Sequence, residues 1–399
     1  MHKRTIRVVT LAASTACALG LAWLVWRARD QAGPRVLDQR ASVERVLLER
    51  AVAPRGLGPF ELRPGLQTLA REPLDEATVR RIFAMGPGLV WDPQQYYRYD
   101  SNLDQELSFA ELPGGTYRRR TNALGYREDH EFPTPRPDLV ILATGDSHTD
   151  GLCENPDTWP NRLEELLGAR RAGRSVEVLN AGVQTFSFYH YLGAVERALS
   201  LRPDAVVTLC YGGNDFLEVN LLHHLFQKTA PPPRSPDYWA AFSAARGVED
   251  PELTQILYEA HRFERSPDEA ERALDAAAAV CAEIQRVCDA QGIPWVFAYL
   301  PSAYCVPWRE LAAERARDLA ALALTEAALE RIDGLADRLL AILRTRGVPV
   351  VDLRPNLHRM AEAGEPPPYW QEFHLNPQGN RLVAEWLLPE VERALEARR

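Results

Sequence analysis

The chain has 399 residues, 46% of them hydrophobic and 25% charged, with 46 basic against 55 acidic side chains and a net charge of −9. Those proportions belong to a folded protein with ample length for a core, and they exclude fibrous and extensively disordered classes. An acidic balance lacks the basic surface of a nucleic-acid binder, and six irregularly spaced cysteines are too few for a disulfide scaffold.

At the amino terminus, Val8 to Trp26 is a run of 19 uncharged, mainly apolar residues, preceded by Lys3, Arg4 and Arg7 and followed by Arg27 and Arg29. At about 1.5 Å per residue the run nearly spans a ~30 Å hydrocarbon core. A cleaved signal peptide has a shorter apolar region of about 7–15 residues ending in a small-x-small site. Ser14-Thr15-Ala16-Cys17 makes a poor lipoprotein signal. Residues 1–29 therefore read as an uncleaved signal anchor, ahead of a long signal peptide or a buried core helix. The remainder is then expected outside the cytoplasm, in the periplasm or cell envelope, although basic residues on both flanks weaken the positive-inside argument.

Residues 30–90 read as a stalk of Arg-rich helical pieces broken by Pro54, Gly56, Gly58, Pro59, Pro64 and Pro73. Residues 91–135 read as a lead-in of short strands and turns, carrying Tyr96-Tyr97 and Tyr117. The triple Arg118–Arg120 reads as a solvated strand edge rather than an anion-binding patch.

From about residue 136 to 399 the pattern alternates between apolar strands and amphipathic helices. Strands are predicted at Leu139–Ala143, Val176–Leu179, Ala205–Leu209, Trp295–Tyr299 and Val348–Asp352. Helices are predicted at Trp159–Leu167, Tyr189–Leu201, Glu269–Ala290, Ile332–Leu343 and Asn376–Leu395. Near-continuous apolar strands separated by helices imply a parallel sheet covered on both faces. Two stretches break the alternation, about 216–266 and about 302–325, and read as insertions. Cys281 and Cys288 lie seven apart on one helix face and read as core residues. His190, His223 and His224 have no partner at a metal-ligand spacing, so no metal or other cofactor is expected.

In open parallel sheets the ligand site lies beyond the carboxyl ends of the strands. After the first strand comes Thr144-Gly145-Asp146-Ser147-His148-Thr149-Asp150-Gly151, after the second Asn180-Ala181-Gly182, and after the third Gly212-Gly213-Asn214-Asp215. Phe373-His374-Leu375-Asn376-Pro377-Gln378-Gly379 precedes the last helix. A serine hydroxyl needs a neighbouring neutral histidine to take its proton. Attack on an ester carbonyl then creates an oxyanion that needs preorganised donors. Ser147 and His374 supply the nucleophile and base, and the Ser147 N–H, the Gly182 N–H and the Asn214 amide supply candidate donors. His148 reads as packing at the helix start, Asp150 as a helix cap, Asp146 as a brace for the turn, and Asp352 as structural.

This order of blocks resembles the SGNH, or GDSL, hydrolases over roughly Arg118 to Leu395, and the lead-in Thr121-Asn122-Ala123-Leu124-Gly125-Tyr126-Arg127 looks like that of a bacterial envelope-associated branch. The resemblance implies a flavodoxin-like three-layer α/β sandwich with a five-stranded parallel sheet. It also implies a serine esterase with Ser147 and His374 at its centre. One position departs from the pattern. The family places an Asp three residues before the histidine, where this chain has Gln371. Three readings follow: Glu372 substitutes, a Ser147–His374 dyad works unaided, or activity is lost. The leading expectation is an ester hydrolase, acting on an ester-bearing small molecule or an acylated saccharide, including O-acetyl esters. Its rivals are an O-acyltransferase working on envelope polysaccharide and an inactive carbohydrate-binding relative.

Overall fold

In the computed structural model the described residues are 69, 71–83, 85–171, 173–230 and 255–397. The predicted anchor, residues 30–68 of the predicted stalk and residues 231–254 lie outside them. None of the described helices is long and apolar enough to cross a membrane.

The description begins with helix α1 (Glu76–Ile82), capped by the Asp75 side chain, which accepts from the Thr78 N–H at 2.7 Å. Strands β1 (Leu89–Asp92) and β2 (Tyr96–Tyr99) pair antiparallel, as do β3 (Asp104–Ser108) and β4 (Thr116–Arg120). Then follow β5 (Leu139–Gly145), the single turn α2 (Ser147–Asp150), α3 (Trp159–Arg170), β6 (Val176–Asn180), α4 (Phe188–Ala198) and β7 (Ala205–Tyr211). The chain continues through α5 (Asp215–Gln227), α6 (Gln255–Arg265), α7 (Pro267–Ala290), β8 (Trp295–Leu300), α8 (Ala312–Ala321) and α9 (Glu326–Thr345). It closes with β9 (Val350–Asp352), α10 (Arg354–Ala363) and α11 (Pro377–Ala397).

The five strands from β5 onward form one parallel sheet in the order β6-β5-β7-β8-β9. This is the flavodoxin-like order, with the switch between β5 and β7 where a ligand crevice opens. Every residue of β5, β7 and β8 is buried, which requires cover on both faces. Helices α3 and α11 pack together as one layer, and α4, α7 and α9 form the other. The predicted strands and helices are present, with ends that coincide or move by up to six residues.

Three local expectations change. The stretches that break the alternation hold helices of their own, α5 and α6 in the first and α8 in the second. Helix α10, which the sequence reading left out, fills the connection from β9 towards His374. Arg118 and Arg120 meet solvent, but Arg119 alternates inward on β4 and is buried. A strand turns successive side chains to opposite faces, so a run of three arginines cannot be solvated as a block.

The lead-in packs into the same core as the sheet. Tyr96 and Tyr97 are fully buried, and Tyr97 lies against Phe83, Phe186 and His190 at ring separations of 4.9, 5.2 and 5.2 Å. The β1–β2 turn rests on Gly193 of α4, where an added Cβ would lie 2.3 Å from the Gln94 carbonyl oxygen. The described cysteines, Cys153, Cys210, Cys281, Cys288 and Cys305, are free thiols.

Candidate active site

Strand β5 ends at Gly145, and Asp146 caps the turn α2 by accepting from the His148 N–H at 2.9 Å. The cap therefore comes from Asp146 and not from Asp150. It holds Ser147 at the first helical position, where a backbone N–H has no partner within the helix. On the far side of the sheet end, the Trp370–His374 segment folds into a tight turn. The Phe373 N–H donates to the Trp370 carbonyl at 2.9 Å and the Trp370 N–H to the His374 carbonyl at 2.7 Å. Phe373 has φ +76°, a left-handed conformation that costs a non-glycine residue on the order of 1–3 kcal/mol. That residue brings its two neighbours onto each other.

The consequence is a continuous relay. Ser147 Oγ lies 2.8 Å from His374 Nε2. His374 Nδ1 lies 2.7 Å from both Glu372 carboxylate oxygens. With Nδ1–H donated to a carboxylate, Nε2 is the free acceptor for the serine hydroxyl. Gln371 does not reach into this relay; its N–H donates to Glu111 at 2.5 Å. Of the readings left open by Gln371, the geometry matches the one in which Glu372 stands beside the imidazole.

Burial pulls the His374 pKa down, but the carboxylates of Glu372, Asp146 and Asp150 outweigh it and hold it above the ordinary histidine value. Beside it, His148 is buried, stacks on His374 at 4.8 Å and lies tilted by 37° against Tyr211 at 3.8 Å. Burial, reinforced by the neighbouring His374, keeps the His148 pKa well below its ordinary value. The pair thus divides by environment: one imidazole is held by carboxylates, and the other is held neutral. Burial raises the Asp146 carboxyl above its ordinary range, against the His148 N–H and the His374 ring, which stabilise the anion.

The three predicted oxyanion donors fare differently. Asn214, directly after β7, is 1% exposed, and neither its Nδ2 nor its Oδ1 has a hydrogen-bond partner among the described residues. A buried amide left unanswered costs about 1–3 kcal/mol unless a ligand completes it. The Gly182 N–H is already engaged, donating to Asn180 Oδ1 at 3.0 Å. Gly182 is demanded by packing rather than by open approach: an added Cβ would lie 2.3 Å from the Asp150 nitrogen and 2.6 Å from the Thr149 carbonyl carbon. It seats α2 against the loop after β6.

Beneath α2 lies a buried ionic cluster. Asp150 Oδ2 accepts from Arg119 Nη2 at 2.6 Å and from the Tyr99 hydroxyl at 2.9 Å. Arg127, fully buried, reaches Asp150 Oδ1 at 3.2 Å, Asn155 Oδ1 at 2.8 Å and the carbonyls of Asp150, Gly151 and Cys153. The buried roles of Arg119 and Arg127 show only in partners distant in the chain, and the Asn180 amide also reaches back 31 positions to the Thr149 carbonyl at 3.0 Å. Thr185, on the loop after β6, has φ +63°, a rare backbone state for a β-branched residue, and bonds the Tyr97 hydroxyl at 2.7 Å. That conformation carries no sequence signal. Asp352 is bound by Arg354 at 2.7 Å and takes no part in the relay. Among the described residues no group of three or more His, Cys, Asp or Glu is arranged to hold a metal.

No curated protein matches the chain. Among solved structures it is similar to a catalytic mutant of Axe2, an acetylxylan esterase from Geobacillus stearothermophilus. That likeness has 14% identity and a TM-score of 0.38, over 64% of this chain and 94% of the other. It is also similar to a putative acylhydrolase from Bacteroides fragilis, at 14% identity and a TM-score of 0.36, over 66% and 92%. Residues 143–382, which span Ser147, Gly182, Asn214 and His374, match the GDSL-like Lipase/Acylhydrolase family. With more than half of its length matched, the chain belongs to that family and is an ester hydrolase of the SGNH type.

Proposed function

We propose that the chain is a serine esterase that works through an acyl-enzyme on Ser147. The observation that carries this reading is the relay from Ser147 through His374 to Glu372, with heavy-atom separations of 2.8 and 2.7 Å. Ser147 Oγ bonds to the ester carbonyl carbon as its proton passes to His374 Nε2, and Glu372 stabilises the imidazolium. The Ser147 N–H and the Asn214 amide answer the oxyanion, with the Gly182 N–H joining if it leaves Asn180. Collapse breaks the bond to the alcohol, which takes the proton from His374. Water, deprotonated by the same imidazole, then releases the acid and restores Ser147. The substrate is an ester-bearing small molecule or an acylated saccharide, O-acetyl esters included. The inactive alternative drew on Gln371, and Glu372 supplies the carboxylate which that position lacks.

A serine-directed fluorophosphonate tests the reading. Ser147 should become the labelled residue, and Ser147→Ala should lose both label and ester turnover. Turnover surviving in Ser147→Ala would sink it.

We also propose that the hydrolase works outside the cytoplasm, held to a membrane by residues 1–29, on the strength of the Val8–Trp26 run. Full-length protein should sediment with membranes and need detergent for release, while a chain begun at residue 30 should stay in the supernatant. Equal partitioning of the two would remove the anchor.

A further inference from the structure

The turn that carries Glu372 and His374 is not held by the matched family region alone. The hairpin of β3 and β4, which precedes residue 143, sends its connecting loop onto it. Glu111, on that loop, accepts from two consecutive backbone N–H groups, Gln371 at 2.5 Å and Glu372 at 3.2 Å. Phe109, two residues earlier, packs edge-on against Trp370 at 5.6 Å between ring centroids. Trp370 is pinned in turn by its indole N–H, which donates to the Leu152 carbonyl at 3.3 Å just beyond α2. On the other side of the turn, the Phe373 ring lies 4.8 Å from Tyr304.

We propose that Glu111 is a positioning residue for the hydrolytic relay: its carboxylate clamps the Gln371 and Glu372 amides and so fixes the turn on which Glu372 faces His374. The inference rests on the Ser147–His374–Glu372 reading above. Its physical ground is the strain at Phe373, whose φ of +76° persists only where surrounding contacts over-determine it. Each oxygen of one carboxylate answers one backbone amide, a charge-assisted arrangement stronger than two neutral bonds. The clamp also compensates for the missing family carboxylate. An acid two residues from its histidine depends on the turn between them, whereas the turn depends on contacts from outside the motif.

The groups that face His374 are Glu372, Asp146, Asp150 and the neutral His148. If the clamp is lost, the Glu372 carboxylate drifts from Nδ1, and the largest upward influence on His374 weakens.

The test measures the full-length protein on a chromogenic acetate ester across pH, comparing wild type, Glu111→Ala and Glu111→Gln. Glu111→Ala should lower kcat by about 10- to 100-fold with KM little changed, the scale of a small misplacement of reacting groups. Its acid limb in kcat/KM should move to lower pH, a shift that mere loss of folded protein cannot produce. Glu111→Gln keeps one carbonyl acceptor, so its kcat should fall between the two. Should Glu111→Ala fail to fold, Glu111→Gln decides. Wild-type kcat with an unmoved acid limb in any folded Glu111 variant overturns the proposal. Turnover persisting in Ser147→Ala marks the different failure of the underlying esterase reading.

Discussion

Glu372 decides how far this site departs from its family's usual spacing. The family motif puts the orienting acid three residues before the histidine; here it stands two before, and the left-handed Phe373 closes the gap. Because the carboxylates raise the His374 pKa, the proposed mechanism predicts that the base is lost as pH falls, and at a higher pH than an ordinary histidine of pKa 6.5 would allow. Glu372→Gln removes the main upward influence. The acid limb of kcat/KM should therefore move to lower pH, while the plateau falls by about 10²- to 10⁴-fold for want of imidazolium stabilisation. A pH–rate series on purified protein reads both, and an unchanged plateau would reduce the relay to a Ser147–His374 dyad. Gly182 offers a second check at this scale. Gly182→Ala forces a Cβ within 2.3 Å of the Asp150 backbone nitrogen, and overpacking of this kind costs roughly 1–3 kcal/mol. Chemical denaturation should show that loss together with a fall in kcat, because α2 carries Ser147.

At the scale of elements, what the sequence disclosed and what it hid divide along a physical line. Strands β5, β7 and β8 are buried on both faces, so they appear as unbroken apolar runs, and the polar residues at their carboxyl ends mark the site directly. Ser147 and Asn214 were legible for that reason, whereas Gly182 follows β6 and His374 precedes α11, where the order of the family's blocks marked them. Arg119, Arg127 and Glu111 were not, since arginine and glutamate are ordinarily surface residues and nothing near them in the chain names their partners. Arg119 pairs with Asp150 across 31 positions, and Glu111 reaches Gln371 across 260. Even the expected helix cap moved from Asp150 to Asp146, because α2 starts directly after Asp146 and Asp150 is its last residue. That cluster is the main stake on which α2 stands. Asp150→Ala leaves two buried guanidinium groups without their carboxylate, and breaking a buried pair in this way costs about 3–5 kcal/mol. The midpoint of denaturation should drop accordingly. A loss under about 1 kcal/mol would mean that water or the neighbouring carbonyls replace Asp150.

For the whole molecule, the question is where the folding unit begins. The family match starts at residue 143, yet the buried side chains start well before it. Tyr96, Tyr97, Tyr99, Tyr117 and Tyr126 are each no more than 3% exposed, and burying an aromatic or large aliphatic side chain stabilises by roughly 1.5–3 kcal/mol. Removal of the lead-in would strip the β1–β2 turn from Gly193, uncover His190 and Phe186, and delete both Arg119 and Arg127 from beneath α2. Those losses fall on a domain whose ordinary margin of stability is only about 5–15 kcal/mol. A chain begun at residue 134 should therefore be insoluble or lack a cooperative thermal transition, although it contains every residue of the relay. A chain begun at residue 69 keeps the lead-in and should melt cooperatively and turn over a soluble ester at the full-length rate. If the shorter chain instead folds and hydrolyses ester normally, the tyrosine layer and the arginine pair are accessories. In that case the clamp from Glu111 is lost without consequence, and the relay is held by the family region alone.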